Sequence, residues 1–522
     1  MDAEVGIVGA GAAGGVLASE LGRRGIRVVV LDSGPRHDFA RRHEYVRRYL
    51  RHEDPWQTSP PEIDRQSASG ATPYRLAGKR ARGIGGSTLH WEGYALRLHA
   101  SDFRSRSLYG IGDDWPITYA ELEADYGAAE RMLGVAGSDD GRFASPRSSA
   151  YPLPPFPFSY SDGVFAPACA SAGVALEHLP QARNSVPYGG RPRCSACATC
   201  NVCPTGAKAS IDLTHVSQAE ATGNVEIRPE ATVLKLETDP SGRVTAAVYA
   251  GRDRAKRQLT ARVFVLAGGA VENARLLLLS TSSAHPHGLA NRSGLVGKHF
   301  MSHPSMDVLA RAPDRVYPYR IGFSTAMSRQ FAIERDRASR GAFLLEFLNS
   351  AGPTPKEIAE RSGKSGEALR RHVQEEFGRW LGIRVYAEQL PHRANAVSLS
   401  QRMRDYFGNP APHIHCQLSQ YERTALDDAR TVATRIFTAM GISRVTTSSL
   451  SFAAHQIGTH RMGSDPGTSV VDANLRTHDV ANMYLVGSGC FVTASASPPT
   501  LTIVALAIRA ARHIAAQLRP VS

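Results

Sequence analysis

The chain opens on an apolar run, Val5-Gly6-Ile7-Val8, followed at once by Gly9-Ala10-Gly11-Ala12-Ala13-Gly14. Val16 to Arg24 then carries apolar residues at helical spacing, and a second apolar run, Val28 to Leu31, ends at Asp32. The pattern predicts strand, glycine turn, helix, strand and acid. Further on, Tyr119 to Leu133 reads as a helix behind Asp114-Trp115-Pro116-Ile117. Runs at 225–227, 233–236, 244–248 and 263–267 read as strands, with a hairpin turn at Asp239-Pro240-Ser241-Gly242. Gly268-Gly269-Ala270 leads from the last of them into an apolar helix, Asn273 to Ser280. Residues 310–450 mix strand-like runs, Phe343 to Leu345 and Ile383 to Tyr386, with a charged helix over Lys356 to Trp380 and another helix over Tyr421 to Met440. The chain closes on an apolar helix, Leu501 to Leu518.

The first of these units has a physical reading. The glycines permit a tight turn, close approach of a pyrophosphate, and close packing of helix on strand. The pyrophosphate would sit at the helix N-terminus, where free N–H groups favour an anion. Asp32 follows at the distance, about 20 residues, that suits a ribose hydroxyl. The unit points to a dinucleotide without saying which.

A chain of 522 residues exceeds one simple core, so two or more domains are expected, with 310–450 as the substrate domain. The 42% hydrophobic content and 47 glycines fit a globular α/β enzyme. No apolar run is long enough for a transmembrane segment, and no basic-then-apolar leader precedes the first strand, so a cytoplasmic location is expected. The net charge of +13 is compatible with an anionic partner or with an arginine-rich surface. The arginine-rich stretch 36–52, with Phe39, Tyr45, Val46, Tyr49 and Leu50 between the charges, reads as a solvated face over a packed stripe rather than a membrane or partner helix. No motif supports nucleic-acid binding.

Four of the seven cysteines stand together as Cys194, Cys197, Cys200 and Cys203, the last followed by Pro204. Their short spacing is compatible with an iron–sulfur cluster, a zinc site, or thiols that only shape a loop.

The C-terminal run His455-Gln456-Ile457-Gly458-Thr459-His460-Arg461-Met462-Gly463 resembles the signature of the glucose–methanol–choline (GMC) oxidoreductases. Gly9 to Gly14, Gly85-Gly86-Ser87 with His90-Trp91, Gly294 to Lys298, Glu388-Gln389-Leu390-Pro391, Val471 to Asn474 and Pro499-Thr500-Leu501-Thr502 agree with it in order. Within the family the chain is similar to bacterial FAD-linked sugar and polyol dehydrogenases and to pyranose oxidases. The resemblance implies an α/β fold: a Rossmann-like FAD domain assembled from separated segments, 1–160, 211–309 and 451–522, a Cys-rich insertion over 161–210, and an α+β substrate domain built on an antiparallel sheet.

It also implies roles for residues. FAD would be held by Gly9, Gly11, Ala12, Ala13, Gly14, Asp32 and Ser33, by Gly85, Gly86, Ser87, His90 and Trp91, and by Val233, Gly268, Gly489 and Thr500. In some relatives a histidine at the place of His90 is bonded to the flavin; in others the same pair binds FAD without a bond. His455 would be the base that takes the hydroxyl proton while a hydride leaves for the flavin. Many members carry a second histidine or asparagine just before Pro-Thr-Leu-Thr. This chain has Pro498 there, which leaves Ser495, Ser497 or His460 to supply a second polar partner. Similar dehydrogenases carry a cluster on cysteines before a Cys-Pro-x-Gly-Ala run, here Cys203 to Ala207, although with different spacing. The expected activity is oxidation of an alcohol on a sugar, polyol or glycoside, aminosugar compounds included. Electrons would pass to a quinone, a redox protein or, in an oxidase, O₂; lyase-type chemistry on the same flavin bed is a further possibility.

Overall fold

The computed structural model describes residues 1–57, 60–317, 322–333 and 336–519; the other positions of the 1–160, 310–450 and 451–522 segments lie outside the described residues. The first sheet has the order Val225–Arg228, Val28–Leu31, Ala3–Val8, Lys256–Leu266, Val244–Ala250, Thr232–Thr238. Met483–Leu485 also pairs with Lys256–Leu266. The long strand Lys256–Leu266 has two halves. The first pairs antiparallel with Val244–Ala250. The second lies parallel between Ala3–Val8 and Met483–Leu485. The central parallel strand Val28–Leu31 is apolar and buried at every position, as a strand between two parallel neighbours is expected to be. On one side the helices Ala12–Gly22 and Tyr119–Leu133 pack against the closing helix Thr500–Leu518. The Tyr119–Leu133 helix starts on a Thr118–Glu121 capping box and stops on Gly134 in the left-handed region.

The second sheet is antiparallel, in the order Val445–Thr447, Pro304–Arg311, Trp380–Ala387, Phe343–Leu348, Ser324–Ser328, Glu177–His178. Ser451–Phe452 adds to Pro304–Arg311. The helix Gln420–Ala439 covers it with Ala425, Leu426, Ala429, Val432, Ala433, Ile436 and Phe437, one face of a helical repeat. This sheet draws chain from outside 310–450: its Glu177–His178 strand lies in the 161–210 stretch, and Pro304 and Ser451 lie at its flanks. A small third sheet joins Ala396–Arg404, Pro410–His415 and Ser67–Ser69.

One stretch differs from expectation and one agrees with it. The single charged helix over 356–380 is two helices, Pro355–Ser362 and Gly366–Glu376, followed by a strand from Trp380. Gly363 in the left-handed region ends the first, where the charge pattern alone runs on. The basic stretch 36–52 forms the helix Arg42–Leu50. Its Tyr45, Val46 and Tyr49 pack on Trp56, Ala81, Leu89 and Val202, which accounts for the apolar stripe. Among the described residues one helix, Thr500–Leu518, is long and apolar enough to cross a membrane, and more than half of it is buried inside the protein.

A buried ion triad ties the antiparallel sheet to the Ala100–Arg104 turn. Arg337, 1% exposed, donates to Asp102 Oδ1 and Glu388 Oε1, each at 2.8 Å. Glu388 directly follows the Trp380–Ala387 strand and also accepts from Tyr421 Oη. Removing the cation strands two buried carboxylates, which costs about 3–5 kcal/mol. Arg337→Met is expected to lower the denaturant midpoint accordingly; an unchanged midpoint contradicts this account.

Candidate active site

The glycine turn leaves the first strand where two backbones meet. Gly9 has φ +101°, and a Cβ on it would lie 2.7 Å from the Ala267 carbonyl oxygen. The second turn, Gly83 to Trp91, comes from far along the chain. Its Gly85 N–H donates to Ala10 O at 3.0 Å. A Cβ on Gly86 would stand 2.8 Å from Gly11 Cα, so the two turns touch through bare backbone. The helix behind Gly11 has no side-chain cap, and Ala12 and Ala13 at its start line a cavity. The closing helix is likewise uncapped, and its first residue, Thr500, lines the same cavity. Two helix N-termini, each with free N–H groups, therefore border one space.

That cavity measures about 580 Å³. Asp32 stands in its wall, its Oδ2 accepting from Ala10 N–H and its Oδ1 from Gly34 N–H, both at 2.8 Å. Burial pushes its carboxyl up while these two N–H groups pull it down. Each oxygen keeps a second lone pair for a hydroxyl. Beside it Arg82 donates to Ser33 Oγ at 3.1 Å. Arg80 and Arg82 share Asp64 and Glu272, and this charged belt holds the Glu272 carboxyl well below its ordinary range despite burial.

The middle of the cavity is the turn bearing Ser87, His90 and Trp91. Lys208, wholly buried, fastens it from behind: Nζ donates to the carbonyls of Thr88, Leu89 and Trp91 at 3.3, 3.2 and 2.7 Å. Burial brings this ammonium down to about 8. Trp91 Nε1 donates to Ala209 O at 2.7 Å. His90 is pushed down to about 4 by burial and by Lys208.

At the far end His455 lines the cavity beside Pro498. Its Nδ1 lies 2.7 Å from Nδ1 of His303, a residue no sequence motif marked. His303 is fully buried, with Nε2 3.4 Å from the Ala494 carbonyl. His455 is held well below the usual imidazole value, by burial first and then by His303 and Lys79. Glu92, Tyr94, Asp307, Arg384 and Tyr386 complete this end. Arg384 grips Asp307 through Nε and a terminal nitrogen at 2.8 and 3.1 Å. Burial and the neighbouring Glu346 push Glu92 up to about 7. None of the five has a spacing that a sequence pattern would single out; they meet only across the antiparallel sheet and the glycine turn.

The structure separates the other sequence candidates. Gly9, Gly11, Ala12, Ala13, Asp32, Ser33, Gly86, Ser87, His90, Trp91, Val233, Gly268, His455 and Thr500 line the cavity. Gly14 and Gly85 lie beneath the two turns and shape them. His460 stands away from the wall: it is fully buried, its backbone N–H donates to Gly489 O, its Nε2 is 3.3 Å from Asn273 Nδ2, and burial takes it down to about 3. Gly489 makes room for that ring, since a Cβ there would fall 2.0 Å from His460 Nε2. Ser497 also lies behind the wall, its N–H 3.4 Å from Ser495 Oγ, which itself donates to Asp102.

The four cysteines of the run stand as free thiols. Among the described residues no group of three or more His, Cys, Asp or Glu side chains is placed to hold a metal ion. The sulfurs are occupied locally: Cys194 Sγ accepts from Ala196 N–H, Cys203 Sγ accepts from Lys208 N–H at 3.2 Å, and Cys197 Sγ is 3.0 Å from Thr199 Oγ1. Burial pushes the Cys200 thiol up to about 11, which keeps it protonated. Of the three alternatives, this placement gives no support to an iron–sulfur or zinc site and agrees with thiols that shape a loop. The loop carries Asn201 to the cavity, where Trp56 Nε1 donates to its carbonyl at 2.9 Å.

Comparison with known proteins agrees with this geometry. Family models described as GMC oxidoreductase match residues 158–305 and 391–507, and an FAD binding domain model matches 2–43. The fructose dehydrogenase large subunit of Gluconobacter japonicus is 31% identical, with 99% of each chain covered. The 6'''-hydroxyparomomycin C oxidase of Streptomyces lividus is 30% identical over 99% of this chain and 92% of its own length. The crystal structure of pyridoxine 4-oxidase from Mesorbium loti has the same fold, with a TM-score of 0.64 at 19% identity over 98% of this chain and 99% of its own. Fold, cavity and relatives agree: the chain belongs to the GMC oxidoreductase family and is an FAD-dependent oxidoreductase acting on CH–OH groups.

Proposed function

We propose that the protein is a dehydrogenase that oxidises an alcohol on a sugar, polyol or glycoside, with His455 as the base and a quinone or redox protein as acceptor. The observation that carries this reading is the single cavity that joins the fingerprint at Gly9 to the imidazole of His455. The uncapped start of the Ala12–Gly22 helix suits a pyrophosphate, Asp32 a ribose, and the turn from Gly86 to Trp91 a flat ring system. Bound there, FAD supplies the hydride acceptor.

The protein's own groups do the rest. His455, neutral because it is buried, takes the hydroxyl proton. Glu92, Tyr94, Asp307, Arg384 and Tyr386 offer donors and acceptors for a substrate with several hydroxyls. Pro498 contributes shape alone. A peroxide-forming oxidase is the second reading, favoured by the similarity to the Streptomyces oxidase.

A screen of sugars and polyols against dye reduction, with purified holoprotein, identifies the substrate. His455→Ala is then expected to lose about 10²–10⁴-fold in kcat; near-normal turnover removes His455 as the base. Peroxide formed in step with substrate oxidised in air would overturn the dehydrogenase reading. The base works unprotonated, and its pKa is depressed. The rate is therefore expected to hold as pH falls through 6.5, the ordinary imidazole value, and to decline only below it. A decline already centred at or above that value contradicts the assignment. Gly86→Ala pushes the second turn off Gly11 and is expected to lower the flavin absorbance per protein; full flavin content would show that the contact is dispensable.

A further inference from the structure

His303 and His455 face one another through the same kind of atom, and this restricts where their protons lie. The rings are nearly perpendicular, at 78°, with centroids 4.9 Å apart. Their Nδ1 atoms are 2.7 Å apart, a hydrogen-bond distance, so one of the two must carry the hydrogen and the other must not. The opposite nitrogen of His303 decides which. Its Nε2 faces the Ala494 carbonyl at 3.4 Å, and a carbonyl can only accept. His303 Nε2 therefore bears hydrogen. A neutral imidazole has one N–H, so Nδ1 of His303 is bare.

Neutrality is supported by the surroundings. His303 is fully buried, and burial brings it down to about 4. The nearby carboxylate of Asp102 is engaged by Arg337 and by Ser495 Oγ. The backbone holds the ring in place: Ala453 N–H donates to His303 O at 2.9 Å, and Ser302 N–H donates to Gln389 Oε1 at 2.8 Å.

We infer that His303 is a positioning residue that fixes the tautomer of His455. The hydrogen-bond chain runs from His455 Nδ1–H to His303 Nδ1, and from His303 Nε2–H to the Ala494 carbonyl. It leaves His455 Nε2 as the unprotonated nitrogen, ready to accept a proton from the substrate hydroxyl. The reverse tautomer would put a hydrogen on Nε2 and disable the base. The residue that stabilises the base thus comes from just before the Pro304–Arg311 strand of the antiparallel sheet, and the position before Pro499 is Pro498, whose side chain offers no hydrogen bond. The inference rests on His455 being the base, as proposed above.

Two readouts test it. In holoenzyme labelled with ¹⁵N-histidine, with His455 assigned by its loss in His455→Gln, Nδ1 is expected to be protonated and Nε2 bare at neutral pH. A protonated Nε2 in the unaltered protein overturns the inference whatever the turnover. His303→Phe keeps a ring of similar size without an acceptor; it is expected to lose about 100-fold in kcat with KM changed less than about threefold, and to release Nε2 from its single tautomer. His303→Asn keeps an acceptor oxygen toward His455 and is expected to recover to within about tenfold of the unaltered enzyme. Equal losses in the two variants with the His455 tautomer unchanged, or full activity in His303→Phe, would also overturn it. The labelling experiment judges the chain of hydrogen bonds alone, while the His455→Ala assay judges the base.

Discussion

The second half of one strand, Val263 to Leu266, holds the molecule together. Along one edge it is bonded in parallel to Ala3–Val8, and along the other to Met483–Leu485. Pieces of chain hundreds of residues apart thereby become neighbours in one sheet. Each parallel ladder leaves its strand ends, and the turns that follow them, on the same side of the sheet. The fingerprint at Gly9 and the Gly268 turn therefore open together, and the strand ending at Leu485 brings Gly487 and Ser488 to the same space. The nucleotide end of the cavity is a consequence of that ladder, while the antiparallel sheet brings the groups around His455 to its other end.

A second constraint is dryness. Residues around the cavity carry more charge than a buried surface tolerates unpaired, and the protein meets this with shared partners. Two carboxylates serve two guanidinium groups at Asp64, Glu272, Arg80 and Arg82. Lys208 spends all three of its donor positions on carbonyl oxygens of the turn it supports. Histidines, which can shed their charge, take other buried places: His90, His303, His455 and His460 are all depressed, and burial is the leading cause for each.

What could be read from the sequence follows from the range of the forces involved. The first strand, turn, helix, strand and acid are local, and glycine spacing marks them. The helix Tyr119–Leu133 was legible to its last residue because a capping box and a terminal glycine bound it. The helix break at Gly363 was not, since charge periodicity continues across it. His455 was legible through a family motif. His303 was not, because its significance comes from Ser451–Phe452 pairing with Pro304–Ser305, which sets two imidazoles from distant segments side by side. The cysteine run is the converse case: close spacing in sequence suggested convergence, whereas the loop turns its sulfurs toward its own backbone and hydroxyls.

The cavity wall includes Val8 near one end of the chain and Ile503 near the other. A polypeptide emerging from the ribosome exposes the fingerprint first, but the opposite wall is still to be synthesised. No partial product short of about residue 503 has the whole wall of that cavity. Until then the helices Ala12–Gly22 and Tyr119–Leu133 lack the closing helix they pack against, and their apolar faces stay open on the unfinished chain.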